Sequence, residues 1–517
     1  MTRFTRVIVE WLQNLRPVFL GKSGSCDSSA LNAIETPNDV LTPAPGAEAR
    51  HIGSFAENAV DDSETEVLAG WNHPVQVRSL EEVHASVRVP HVGAPWYAKL
   101  CAFMGLGFVI SIGYMDPGNW ATDISGGAQF GYTLMSAILI SNFVAMFLQI
   151  LSLKLGVVAE RDLAQACRDA YPLWLAYILW IMAEIAIAAT DLAEIIGSAT
   201  ALYLLFGIPL WAGVLITAAD VLFIIIFGTK NFRFLEVLVF SLCALIAGCF
   251  VYELVKAAPD WGKVAAGIVP QTAILTNPAL LYNAIGILGA TVMPHNLYLH
   301  SSIVQTRAYP RTLAGKKMAL FYGSIDSTMA LALAFFVNAA ILILAGAAFH
   351  YGPYPNHDVA YISDAYQLIS PALGVKAAQI LFGVALLASG QSSTITGTLA
   401  GQIVMEGFIH VKLKPWVRRV VTRSVAIIPA AIIAGVGGNQ GAGKLLVLSQ
   451  VVLSMQLSFA VVPLVHFTSS KSRMGSFVNG WITHIAVCIV ASIIAGLNAY
   501  LIIKSIQSNE FGATSGV

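Results

Sequence analysis

"GYMDPGNW", residues 113–120, interrupts what otherwise reads as a long apolar helix. Pro117 removes a backbone donor and clashes with the preceding turn. Asp116, as a carboxylate at bilayer depth, costs roughly 3 kcal/mol or more unless it is neutralised or coordinated. A helix that breaks itself around an acid in this way needs a reason, and the rest of the chain supplies one.

The surroundings are those of a membrane protein. The chain has 517 residues, 56% of them hydrophobic and 11% charged, against about 25% charged in an ordinary soluble domain. Runs such as "LWAGVLITAADVLFIIIFG" and "ALAFFVNAAILILAGAAF" are long enough to cross about 30 Å of hydrocarbon. The expectation is an all-α polytopic membrane protein with eleven spans: 98–130, 132–157, 172–206, 208–228, 234–257, 278–307, 318–349, 374–408, 416–437, 443–468 and 478–505. Residues 1–97 form an amino-terminal tail and 506–517 a short carboxyl-terminal one, flanking a transmembrane domain over 98–505. Segment 23–95 is rich in Ser, Pro and acids without a sustained period and reads as poorly ordered. In 4–19, Phe4, Val7, Ile8, Trp11, Leu12 and Leu15 share one helical face flanked by Arg3, Arg6 and Arg16, as in a helix lying on a membrane surface. That segment lacks the apolar h-region of a signal peptide.

With these spans, Lys256, Lys263, Lys376, Lys444 and Lys504 are the basic residues on one side, and the rest of the 29 fall on the other. The positive-inside rule makes the amino terminus cytoplasmic and, after eleven crossings, the carboxyl terminus external. Net charge is zero, so no nucleic-acid partner is expected. Cys26, Cys101, Cys167, Cys243, Cys249 and Cys488 contain no CxxC and read as small hydrophobes.

The sixth span repeats the opening anomaly. "GATVMPHNLYLH", residues 289–300, sets Met293-Pro-His-Asn296 against Asp116-Pro-Gly-Asn119. The two lie five spans apart and so enter the membrane from opposite faces, the mark of an inverted 5+5 repeat of spans 1–5 and 6–10. Interrupted helices at matching positions point to a transporter's midplane site. Freed carbonyls at Gly113 and Ala290, one turn before each proline, can face an ion, tolerable only where they line a cavity. Asp116 adds charge, Asn119 an amide oxygen and Met293 a thioether. Sulfur favours Mn²⁺, Fe²⁺ or Cd²⁺ over Mg²⁺ or Ca²⁺.

The "DPGN" and "MPHN" pair, with "TDLAEIIGSA" between them, resembles the natural-resistance-associated macrophage protein (Nramp) family, above all its bacterial proton-dependent manganese transporters. The likeness covers roughly residues 100–505. It implies a LeuT-like fold with helices 1 and 6 broken, and proton-coupled import of Mn²⁺ and Fe²⁺, with Cd²⁺ and Co²⁺ also carried, by a monomer in the bacterial inner membrane. It also implies metal binding by Asp116, Asn119, Met293 and the Ala290 carbonyl, with Gln450 joining in some states. Gly113 stands where the family's alanine is expected.

Glu184, Asp191 and Glu194 of the third span share one helical face at spacings of i, i+7 and i+3, and membrane carboxylates are functional by default. The resemblance makes Asp191 and Glu194 a proton exit route from Asp116 and adds His295, Arg418 and Arg419. Gln149 is placed by the same resemblance near the metal path, as a gating residue. Interhelical hydrogen bonding is the alternative for both glutamines, as membrane anchoring is for the arginines.

Other patterns lead nowhere. "GNQGAGK", residues 438–444, lacks the P-loop hydroxyl because Leu445 follows the lysine, and it reads as a turn between spans 9 and 10. HExxH is absent. His350, His357 and Asp358 read as external loop polar groups, and Gly397 and Gly401 as helix packing. No enzyme and no resident cofactor are expected. Two rivals remain: a sodium-coupled amino-acid-type transporter on the same fold, and an uncoupled metal channel or sensor.

Overall fold

A backbone inside hydrocarbon must satisfy its own polar groups, so the spans are helices. The computed structural model describes residues 71, 78–217, 232–352, 362–373, 376–409 and 415–507. Among the described residues, eight helices are long and apolar enough to cross a membrane. Helix also lies at the other three expected positions: over 210–217 for the fourth span, in two pieces for the sixth, and over 415–437 for the ninth. The architecture is the expected inverted repeat, with an eleventh helix (Trp481–Gln507) packed beside the tenth. The amphipathic stretch 4–19 lies outside the described residues.

The third span (Leu173–Phe206) runs along the eighth (Lys376–Ile409) and along the ninth–tenth pair. The seventh (Leu313–Ala345) packs on the second (Met135–Val158) and on the first. The expected glycine-rich turn at 438–444 shrinks to Gly438 alone (φ 55°, ψ −145°), after which the helix resumes.

The first span carries a break that the sequence reading did not anticipate. Helix Trp96–Phe103 ends at Met104, and a new one runs Leu106–Ser111, with Gly105 at φ 116°. The carbonyls of Cys101, Ala102 and Met104 are taken by the Arg233 guanidinium at 3.3, 2.8 and 2.8 Å, and that of Phe103 by Arg307 at 3.2 Å. The amides of Gly105 and Gly107 donate to the Asp326 carboxylate at 3.2 and 2.6 Å. Glu236 joins both arginines, at 2.9 Å to Arg233 and 2.7 Å to Arg307. A Cβ on Gly105 would fall 2.7 Å from Glu236 Oε2, so glycine is required twice over, for conformation and for space. Three side chains from three other elements thus replace the hydrogen bonds that the helix gives up, with Glu236 holding the two arginines in place.

A second departure concerns 78–95, expected to belong to a poorly ordered tail. Leu80, Val83 and Val87 are buried, and strand β1 (Val87–Arg88) pairs in parallel with β2 (Arg307–Ala308) just after the sixth span. Apolar residues scattered among charges carry no period, so the order comes from the surface that receives them.

Glu236 is the partner that compensates the fully buried Arg307. Glu236→Ala should destabilise the protein on the order of 3–5 kcal/mol, and Glu236→Gln, which keeps a hydrogen-bonding oxygen, by less. Thermal unfolding followed by fluorescence-detected size exclusion in detergent measures both, and equal melting midpoints for Glu236→Ala and the parent would contradict this account of the break.

Candidate functional site

The two interruptions have the same local chemistry. Asp116 is the N-cap of helix Pro117–Phe130, and Met293 is the N-cap of helix Pro294–Ile303, each followed by proline at the first helical position. Proline is tolerated there because that N–H has no intrahelical partner anyway. Residues 112–115 tighten into a 3-10 turn ahead of Asp116. The carbonyls released at the first break find side chains: Tyr114 O accepts from Asn338 Nδ2 at 2.9 Å, and Met115 O from Trp120 Nε1 at 3.1 Å.

Asn119 stitches the breaks together. Its Nδ2 donates to Asp116 Oδ1 at 2.7 Å and to the Ala290 carbonyl at 3.1 Å, while its backbone N–H also donates to Asp116 Oδ1, at 2.9 Å. Both bonds to the carboxylate therefore fall on one oxygen. Asp116 Oδ2 is buried without a hydrogen-bond partner, as are Gln450 Oε1, His295 Nε2 and both side-chain polar atoms of Asn296. Asn296 lies against Gly113, where an added Cβ would come 2.5 Å from its Nδ2, and Gln450 lies against Gly118. Buried polar groups are nearly always satisfied, so unpartnered atoms gathered at two helix breaks mark a place prepared to receive something polar.

The sequence-derived residues divide into groups. Asp116, Asn119 and Ala290 are joined by the bonds above; Gly113 and Gln450 pack against the breaks, and Met293 caps the second one, fully buried. His295 reaches the third span, with Nδ1 3.2 Å from Thr190 Oγ1. Asp191 and Glu194 are buried and face the eighth span at Gly397, whose added Cβ would lie 3.4 Å from Asp191 Oδ1 and 3.0 Å from Glu194 Oε1. That glycine, read in the sequence as packing, is what makes room for two carboxylates. Gly401 meets only Ile187. Glu184 stands apart from the other two acids, half-buried, with Trp180 Nε1 donating to its Oε1 at 3.0 Å. Arg418 and Arg419 ride on the helix opening at Pro415, and their side chains lie outside the described residues. His357 and Asp358 also lie outside them, while His350 Nδ1 sits 3.1 Å from the Ala128 carbonyl.

Gln149 does more than its expected place near the path. It donates from Nε2 to Tyr114 OH at 2.8 Å and meets His300 Nδ1 through Oε1 at 2.9 Å, and His300 Nε2 continues to Ser327 Oγ at 3.2 Å. This chain joins spans 1, 2, 6 and 7 on the side of the breaks that leads to β2. Tyr114, His300, Ser327, Asn338, Thr190 and Asn296 went unassigned in the sequence reading. Asn296 shows there as a member of the repeated motif without a role of its own, and the signal of the others is polarity within apolar runs, which does not say which runs will meet.

The chain matches a family model described as natural resistance-associated macrophage protein-like over residues 107–504. It is 55% identical over 438 residues to the divalent metal cation transporter MntH of Listeria monocytogenes, covering 85% of this chain and 97% of that one. The relative of the same name from Nostoc sp. is 55% identical over 429 residues, covering 83% and 96%. Among solved structures, the Eremococcus coleocola manganese transporter superposes with a TM-score of 0.78 at 39% identity, over 85% of this chain and 93% of that one. Mhp1, in an inward-facing conformation, shares the fold at 14% identity and a TM-score of 0.53, over 86% of this chain and 94% of that one.

The broken first span leans on Gly197 of the third, where an added Cβ would lie 2.2 Å from Pro117 Cγ. A proline ring cannot turn aside, so Gly197→Ala should destabilise the protein by about 1–3 kcal/mol. Gly401→Ala, whose Cβ would sit at ordinary van der Waals distance, 3.6 Å, from Ile187 Cγ2, should change the melting temperature little. Equal effects of the two substitutions on thermal unfolding would show that Pro117 is not held from behind.

Proposed function

The chain belongs to the natural resistance-associated macrophage protein-like (Nramp) family, and from that premise we propose that it imports divalent transition-metal ions in symport with protons. Mn²⁺ is the first substrate on this reading, followed by Fe²⁺, with Cd²⁺ and Co²⁺ also carried. The relatives' names support the class of cargo. The observation that carries the reading is the carboxylate of Asp116: buried between two helix breaks, bonded through one oxygen and unpartnered at the other. A buried carboxylate oxygen with no donor is costly and calls for a proton or a cation. That makes one residue answer to both.

On this reading Asp116, Asn119, Met293 and the Gly113 and Ala290 carbonyls hold the ion, and Gln450 turns toward it in some states. The Asn119 amide must rotate on binding, because its N–H groups point at the two oxygens an ion would take. Met293 contributes a soft donor, which separates transition ions from Ca²⁺ and Mg²⁺. A proton displaced from Asp116 passes by way of His295 and Thr190 toward Asp191 and Glu194, with Arg418 and Arg419 beyond them. Glu184 belongs to the far end of this route. Gln149, with Tyr114 and His300, closes the inward side of the site. The protein works as a monomer in the bacterial inner membrane, its transport domain spanning 98–505, its amino terminus cytoplasmic and its carboxyl terminus outside.

Proteoliposomes loaded with a pH indicator test the whole reading: Mn²⁺ uptake should acidify the lumen, whereas metal entry without protons would make the protein a channel. Asp116→Ala should abolish uptake while leaving folding intact, because it removes the charge and relieves its desolvation. Uptake near the parent level would remove Asp116 from the site. Asp191→Asn and Glu194→Gln should slow proton entry more than they weaken metal binding, since each keeps its shape and loses a titrating group.

Met293→Ala separates donor from packing. Cd²⁺ affinity should fall most and Mn²⁺ affinity modestly, and Ca²⁺ should begin to compete. Competition uptake with each ion measures this, and one common factor of weakening for every ion would reduce Met293 to a packing residue.

A further inference from the structure

Residues 78–88 bind elements from different parts of the bundle at once. On one side they continue the sixth span: Ala85 N–H donates to the Gln305 carbonyl at 3.0 Å, and β1 pairs with β2 with Val87 opposite Arg307 and Arg88 opposite Ala308. On the other side they are held by the end of the eighth span. Leu80 N–H donates to Glu406 Oε2 at 3.0 Å, and Gln402 Nε2 donates both to Glu82 Oε1 at 3.0 Å and to Glu406 Oε1 at 2.9 Å. Leu80, Val83 and Val87 are buried beneath the segment. Farther back, Trp71 packs on Phe467 of the tenth span, with the guanidinium groups of Arg161 and Arg473 over its ring at 4.7 and 5.4 Å.

The backbone of the segment is not one it would hold alone. Leu80 (φ 53°) and Ala85 (φ 50°) both sit in the left-handed region, which side chains with a Cβ occupy only where their surroundings impose it. A stretch shaped by what it touches loses that shape when the contacts part. The two anchorages also differ in kind. The link to 305–308 is made by backbone groups in register, whereas the link to the eighth span rests on the flexible side chains of Gln402 and Glu406.

We propose that residues 78–88 are a strap that locks the cytoplasmic mouth by tying the end of the sixth span to the end of the eighth, and that an ion leaves inward only after the strap lifts from Gln402 and Glu406. The proposal rests on the transport reading above. Alternating access moves one group of helices against another around a fixed site, and a segment bonded to both groups cannot follow both. It stays with the sixth span, through its ladder, and parts from the eighth.

The test uses the full chain in proteoliposomes, with Glu82→Cys and Gln402→Cys introduced together and joined by a short bifunctional thiosulfonate. Cross-linking should cut Mn²⁺ uptake at least tenfold and a reductant should restore it, while either single variant treated identically keeps its rate. If the reduced double variant carries no Mn²⁺ and the parent carries none either, the transport reading fails and the strap falls with it. If the parent and the reduced variant transport and the cross-linked protein transports equally fast, the strap is overturned and the transport reading stands. Inhibition of a single variant to the same extent also overturns it, since bulk rather than tethering would be the cause. A second measurement needs no tether: Leu80→Cys, buried while docked, should react several-fold faster with an impermeant maleimide when Glu406→Ala is added or when Mn²⁺ is being carried. Unchanged labelling in both conditions would mean the segment never lifts.

Discussion

A backbone opened inside a bilayer has to find partners for every group it frees, and this requirement organises the molecule. At Met104–Gly105 the partners are ionic: two arginines take the carbonyls and Asp326 takes the amides. At Tyr114–Asp116 they are neutral, an asparagine and an indole. The first solution gives charged partners to four carbonyls and two amides. The second is left unfinished on one carboxylate oxygen, and the incompleteness is where chemistry becomes possible. The same span thus contains one break braced by charged side chains and one that leaves a carboxylate oxygen without a donor.

Much of this was legible in the sequence wherever a residue type was out of place in its own segment. Proline and asparagine at matching depths in spans 1 and 6 announced both breaks, the inverted repeat and the residues around Asp116, because no tertiary contact is needed to make them anomalous. The Gly105 break was not legible, since its causes are Arg233, Glu236, Arg307 and Asp326, each more than a hundred residues away. Helical spacing puts Glu184, Asp191 and Glu194 on one face. Spacing could not say that depth and a neighbouring glycine would bring only two of them to the eighth span, leaving Glu184 to Trp180. The docking of 78–88 was hidden for a related reason: Leu80 and Val83 carry no period, and Gln402 and Glu406 gave no sign of what they were waiting for.

The polar chain from Tyr114 through Gln149 and His300 to Ser327 shows how a membrane interior can use neutral groups for cohesion. Each bond is worth modest energy, on the order of 1 kcal/mol, so four spans are held together without being welded. Where the protein needs permanence it uses Arg307 and Glu236 instead, a pair whose separation would strand a buried charge. The strong pair braces the Gly105 break, and the weak chain lies beside the Asp116 one.

The Asn119 amide has one more consequence. Its nitrogen already bonds both Asp116 Oδ1 and the Ala290 carbonyl, so at the proposed site an ion would meet a built-in competitor for those two oxygens. An ion that first meets the free Asp116 Oδ2 would have to displace both hydrogen bonds to claim the other two oxygens as well. The same competitor waits to reclaim both oxygens, so each moment of loosening favours departure. A carrier that bound its ion without such a rival would hold it tightly and turn over slowly.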